Sequence, residues 1–180
     1  MFCRLVIPVP RASRHTLFAG VVLILVAACS QPAPPAKQTV RPDRNAVAEI
    51  RATGAAFESA VEVHPLRDSA IDGLVAQAKQ AEAAGRYDDA VAAVDHALEI
   101  APDAPELLQY LAELEILRGH WQRAEQLAMQ SFRLGPKVGG LCARNWQTVI
   151  EARIVFDDPT TRASAEKNLA NCRIAPPVRM

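Results

Sequence analysis

At 180 residues the chain has room for one modest domain beside any targeting segment. Half of its residues are hydrophobic but only 5% are aromatic, so the apolar content is mostly Ala, Val, Leu and Ile, which favours packed helices over a β-sandwich. Formal charge is zero, and assigning Arg4, Arg11 and Arg14 to an N-terminal leader leaves 17 basic against 20 acidic residues, which argues against the basic face that a nucleic-acid partner demands.

Arg4, Arg11, Arg14 and His15 lead into an apolar run from Leu17 to Ala28. That run is shorter than the roughly 20 residues needed to span a bilayer and has the length of a signal-peptide core. Residues 1–28 are therefore read as a signal peptide. The segment Leu25-Val26-Ala27-Ala28-Cys29-Ser30 resembles the lipobox of bacterial lipoproteins, with small residues before the cysteine and Val26 where Leu is commoner. The resemblance implies that the Cys29 thiol carries diacylglycerol and that Cys29 becomes the acylated, palmitate-bearing N-terminus. Ser30 stands where Asp would favour retention in the inner membrane, so the same resemblance implies sorting to the outer membrane, facing the periplasm.

Residues 29–43 then form a tether, since Pro32, Pro34, Pro35 and Pro42 neither propagate a helix nor donate a regular hydrogen-bond ladder. At about 3.1 Å per residue such a segment reaches roughly 40 Å from the membrane. Val47, Ile50, Gly54, Phe57 and Val61 recur at steps of three and four, which predicts an N-terminal helix over 44–65 that ends near His64-Pro65. Ser69 is the expected N-cap of the next helix, with Asp72 three residues on and Ile71, Leu74, Val75 and Ala78 along one face. Further helices are expected after Gly85 and after Asp103-Ala104-Pro105, and strand alternation is nowhere sustained.

The most specific pattern is an internal repeat. Gly85-Arg86-Tyr87-Asp88-Asp89-Ala90 returns as Gly119-His120-Trp121-Gln122-Arg123-Ala124, an offset of 34 residues. The same offset pairs Ala97 with Ser131, Leu98 with Phe132, Ile100 with Leu134 and Pro102 with Pro136. This period resembles that of tetratricopeptide (TPR) repeats. The glycine permits the tight turn between paired helices, the aromatic fills the gap between them, and Ala90 and Ala124 stand where the helices approach most closely. The expected fold is all-α, a TPR helix-turn-helix superhelix over 66–173, with two clear repeats from Ile71 to Pro136 and degenerate flanking helices. In the last pair, Leu141, Trp146, Val149 and Ile150 continue an apolar face, and Asp158-Pro159 opens a closing helix that runs through Leu169 to Cys172. Residues 174–180 are a tail.

Cys3 leaves with the leader and Cys29 carries lipid, so Cys142 and Cys172 remain as an even pair. If their helices run antiparallel about a turn near Asp157, the two cysteines stand at the same height and a disulfide fits, the alternative being two buried thiols. Two cysteines without ligand-spaced histidines fall short of a metal site, and no cofactor is implied. His64, His96 and His120 are scattered, Gly139-Gly140 forms no phosphate cradle, and Asp88-Asp89 and Asp157-Asp158 stand beside helix starts where they complement the dipole. No catalytic constellation emerges, so the expectation is a protein that binds other proteins and no small-molecule substrate.

TPR stacks present a concave surface from the first helix of each pair, and here that surface is expected to draw on Val75, Lys79, Glu82, Gln109, Glu113, Ile116 and Gln147, with Gln109, Glu113 and Ile116 exposed and of little weight in the core. Val75 and Gln109 do not match the clamp that TPR proteins use for C-terminal carboxylates. The N-terminal helix is expected at one end of the stack or in the groove. A small lipoprotein with a Pro-rich tether and a compact TPR domain resembles the outer-membrane activators of peptidoglycan synthases, the class A penicillin-binding proteins, of some pseudomonad relatives. The resemblance implies an envelope protein as partner, with a pilotin-like factor for a secretin or pilus complex as the alternative.

Overall fold

The computed structural model describes residues 45–57 and 68–173. The leader, Cys29, the tether, the expected helix end at His64-Pro65 and the tail lie outside the described residues. Seven helices follow in order: α1 Ala46–Ala56, α2 Ser69–Ala83, α3 Tyr87–Ile100, α4 Pro105–Leu117, α5 Trp121–Leu134, α6 Gly139–Val155 and α7 Pro159–Ala170. Among the described residues no strand occurs, and no helix is long and apolar enough to cross a membrane.

Local chemistry sets where the helices begin. Asn45 caps α1 through its side chain, and Asp158 caps α7 by accepting from the Thr161 amide at 3.0 Å. Pro105 and Pro159 each open a helix, where the missing N–H costs nothing. At α2 the cap is Asp68, which accepts from the Ala70 amide at 2.9 Å, while Ser69 is already the first helical residue. The expectation of a Ser69 cap is corrected by one position, because a carboxylate next to it offers the free amides a charged acceptor.

One backbone turn repeats three times. The Arg86 amide donates to the Ala81 carbonyl at 2.9 Å, His120 to Glu115 at 2.8 Å and Asp158 to Arg153 at 3.0 Å. Each bond closes over a residue with positive φ: Gly85 at 72°, Gly119 at 81° and Asp157 at 53°. The last pair therefore keeps the repeat's turn without its glycine, with aspartate in a conformation it tolerates better than most side chains. Its spacing from Gly119 is four residues longer than the 34 that separate the first two turns, so the period breaks in sequence while the geometry persists.

From α2 to α7 each helix packs against the next along the stack, whereas α1 packs on α6 and α4. Ala78, Ala81, Ala90, Ala93, Ala97, Ala112, Ala124 and Ala128 are buried at the crossings, where small side chains let the helix axes approach. Tyr87 and Trp121 stand half-buried beside the turns. Trp146, out of keeping with a repeat position, meets Phe132 edge to face at 4.9 Å between ring centres.

Helix α4 is buried along its whole length, from Leu107 to Ile116, because it is flanked by α3, α5 and α6 and is also touched by α1. The far end is closed by α7, where Cys142 and Cys172 are bonded with Cα atoms 5.6 Å apart and the Gly139 amide donates to the Cys172 carbonyl. A cross-link over 30 residues contributes roughly 3 to 4 kcal/mol in the chain-entropy account.

A side chain at Gly119 would meet no atom within 4 Å, so the demand there is conformational rather than steric. Gly119→Val should destabilise the fold by about 1 to 3 kcal/mol, because a β-branched residue is poorly accommodated at positive φ. Circular-dichroism melting checks this, and an unchanged melting temperature would contradict the assigned turn.

Candidate functional site

In stacks of this kind the first helices of the pairs, here α2, α4 and α6, line the concave side, and α1 packs chiefly against α6 and more lightly on α4. Helix α1 turns Ala46, Val47, Ile50 and Gly54 inward, while Glu49, Ala52, Ala55 and Ala56 stay exposed. Gly54 marks the closest approach. A Cβ there would lie 2.5 Å from Arg144 Cγ and 3.3 Å from the Gly140 carbonyl, so only glycine lets α1 sit this deep. At its end Phe57 packs beside the disulfide and under the Arg173 guanidinium.

From this helix Arg51 reaches two carboxylates. Its Nη1 and Nη2 donate to the two oxygens of Glu82 at 2.8 and 3.2 Å, and its Nε donates to Glu113 Oε2 at 2.8 Å. Each carboxylate has other partners from the repeat helices. Tyr110 donates its hydroxyl to Glu82 at 2.8 Å. Glu113, fully buried, also accepts from Arg144 Nε and Nη2 at 2.9 and 2.6 Å and from Gln109 Nε2 at 3.0 Å. Gln109 in turn donates to Thr148, which donates to the Arg144 carbonyl. The network ties α1, α2, α4 and α6 together.

Electrostatics follow the geometry. Burial works against the Glu82 charge, but the hydrogen bonds from Arg51 and Tyr110 outweigh it and hold the carboxyl below its ordinary value. Burial likewise opposes the Arg51 charge, and its two carboxylate partners overcome it and raise the guanidinium above its usual range. Burial and the bond to Glu82 push the Tyr110 phenol up.

These positions correct the expected groove. Val75 is half-buried and Lys79 exposed, and Glu82 lies partly open. Gln109, Glu113, Ile116 and Gln147 are buried, with Gln109 and Glu113 at 0% exposure. The expectation that Gln109, Glu113 and Ile116 stand exposed and contribute little to the core fails, because α6 and α1 cover that face of α4. Gln147 is likewise turned inward, donating to Glu151 at 2.8 Å. Changes at Glu113 or Ile116 would therefore strike the core as well as any surface. The residues that sequence reasoning missed are Arg51, Tyr110, Arg144 and Thr148. One signal was visible: a glycine inside the apolar stripe of a helix costs about 1 kcal/mol relative to alanine, a cost usually offset by close packing.

With its folded-state value depressed, Glu82 contributes stability that is complete above its ordinary value of 4.5 and is lost as pH falls through the lower folded value. Melting followed by circular dichroism should show Glu82→Gln lowering the midpoint by about 2 to 4 °C at neutrality. The difference between variant and wild type should close well below about pH 4. A difference that persists unchanged in acid would show that Glu82 does not act through its charge.

Comparison with known proteins agrees with the geometry. Residues 81–138 match the tetratricopeptide-repeat family model. No curated protein matches the chain. Among solved structures, the globular C-terminal domain of P. aeruginosa LpoP is similar, at 26% identity and a TM-score of 0.55, over 58% of this chain and 99% of that one. The seven described helices form an all-α fold of tetratricopeptide-repeat type, the family match falling on residues 81–138.

Proposed function

We propose that the chain is a lipid-anchored periplasmic adaptor that activates a peptidoglycan synthase of the class A penicillin-binding type. The observation that carries this reading is the similarity to the whole of the LpoP globular domain, joined to a lipobox cysteine and a Pro-rich tether. In this reading Cys29 holds the chain in the inner leaflet of the outer membrane, residues 29–43 tether the domain on the way to the cell wall, and the concave face around the partly open Glu82 meets the synthase. The domain then acts by binding, through side chains that hold a protein segment rather than transform a substrate. The paired carboxylates of the concave face are engaged by arginines.

Two measurements test it. Cys29→Ala should leave uncleaved or soluble protein and abolish partition into a detergent phase, and a variant that partitions like wild type would remove the anchor. Pull-down from crosslinked envelopes should recover a cell-wall synthase, with Glu82→Lys reducing the yield at least fivefold while the fold is retained. Recovery of a secretin or pilus component in its place would overturn the synthase in favour of a pilotin-like assembly role.

A further inference from the structure

The two carboxylates on the concave face are positioned by the repeat helices themselves. Tyr110 holds Glu82, and Arg144 and Gln109 hold Glu113, so both would keep partners if α1 were absent. Arg51 enters a place prepared for a guanidinium, two nitrogens on Glu82 and the third on Glu113. This is the fixed fork geometry that arginine fills and lysine does not. The remaining contacts of α1 fall mostly on one neighbour, α6. It buries Ala46, Val47, Ile50 and Gly54, and leaves the Arg51 side chain 41% exposed. At 11 residues it is shorter than the roughly 12 to 15 that an isolated helix needs to hold itself in water. Its helicity therefore depends on the groove it occupies.

We infer that the concave groove is a receptor for a short amphipathic helix and that α1 is its resident ligand, replaced by a partner helix of the same pattern. That pattern is read from α1: an arginine for Glu82 and Glu113, an aliphatic residue just before it as Ile50, and a glycine three residues after it to pass Arg144. Helix-in-groove recognition of this kind places affinity in a few anchors on one face. The inference rests on the adaptor reading above and names the chemistry of the partner at that site. It also gives the anchor network a second use: the contacts that close the fold in the free protein are the contacts that select the ligand.

The test uses the full chain in detergent and a fluorescent peptide of residues 45–57, read by anisotropy. Gly54→Leu in the chain places a side chain against Arg144 and should expel α1 while the repeats keep their cooperative melting, at a lower midpoint. The peptide should then bind that variant at least tenfold more tightly than it binds wild type. A peptide carrying Arg51→Ala should lose at least tenfold, and one carrying Arg51→Lys an intermediate amount. A second chain variant, Arg51→Glu, repels α1 from both carboxylates without adding bulk and should also open the groove. If both chain variants lose their cooperative melting, α1 is an integral part of the fold and the inference is overturned. It is equally overturned if they stay folded and bind the peptide no better than wild type, or if the Arg51→Ala peptide binds as well as its parent. A wild-type dimer that excess peptide dissociates would replace the external partner by a second copy's α1. Peptide binding as expected, with no synthase in the envelope pull-down, would leave the groove assignment standing and remove the synthase reading alone.

Discussion

A carboxylate at 0% exposure in an all-helical core is the constraint around which the concave side is organised. Glu113 sits midway along α4, and burying its charge is tolerable only with several charge-assisted hydrogen bonds. Arg144 from α6, Arg51 from α1 and Gln109 from the preceding turn of its own helix supply them. Removing one partner of such a buried pair typically costs about 3 to 5 kcal/mol, so the position of each of these helices is coupled to the others. A well-packed apolar residue at this site would serve stability as well or better. In the proposal above the carboxylate adds selectivity, since it accepts a guanidinium in one orientation.

The stack itself rests on simpler physics. Alanines at the crossings bring helices close, and the recurring turn over a residue of positive φ reverses the chain after each first helix. Because each pair touches mainly its neighbours, the ends of the stack need covers. At one end α7 is pinned by the bond between Cys142 and Cys172. The concave side is covered by α1, whose Phe57 reaches the same disulfide region. The α4 face beneath α1 carries Glu113, and α1 covers it through Arg51. In the proposal above, a short, charge-anchored helix closes the groove until a partner helix replaces it.

That arrangement bears on how a tethered adaptor would work. The outward side of α1 carries Glu49, Ala52, Ala55 and Ala56, a small-residue surface with little to hold a partner by itself. The partly open Glu82 and the exposed Lys79 border it. In the proposal above, affinity on this side comes from the anchors beneath, which a partner reaches by taking the place of α1. Single anchors of this kind dominate binding energy where they are desolvated.

Much of the architecture was legible from residue types and spacing, because a 34-residue period and paired turn glycines report local geometry directly. The all-α class, the two clear repeats and the Asp158-Pro159 helix start follow from interactions within a few residues of one another, and sequence alone determined them. The spacing of Cys142 and Cys172 about the turn at Asp157 was also readable. Burial of the groove was not. Gln109 and Glu113 have the side chains of a solvated face, and nothing in their neighbourhood along the chain tells of a helix more than fifty residues earlier lying over them. Arg51 likewise reads as an ordinary surface cation, since its partners Glu82 and Glu113 lie 31 and 62 residues away. Only the tertiary structure decided that these charges meet, because desolvation of a carboxylate is a property of everything packed around it and not of the segment that carries it.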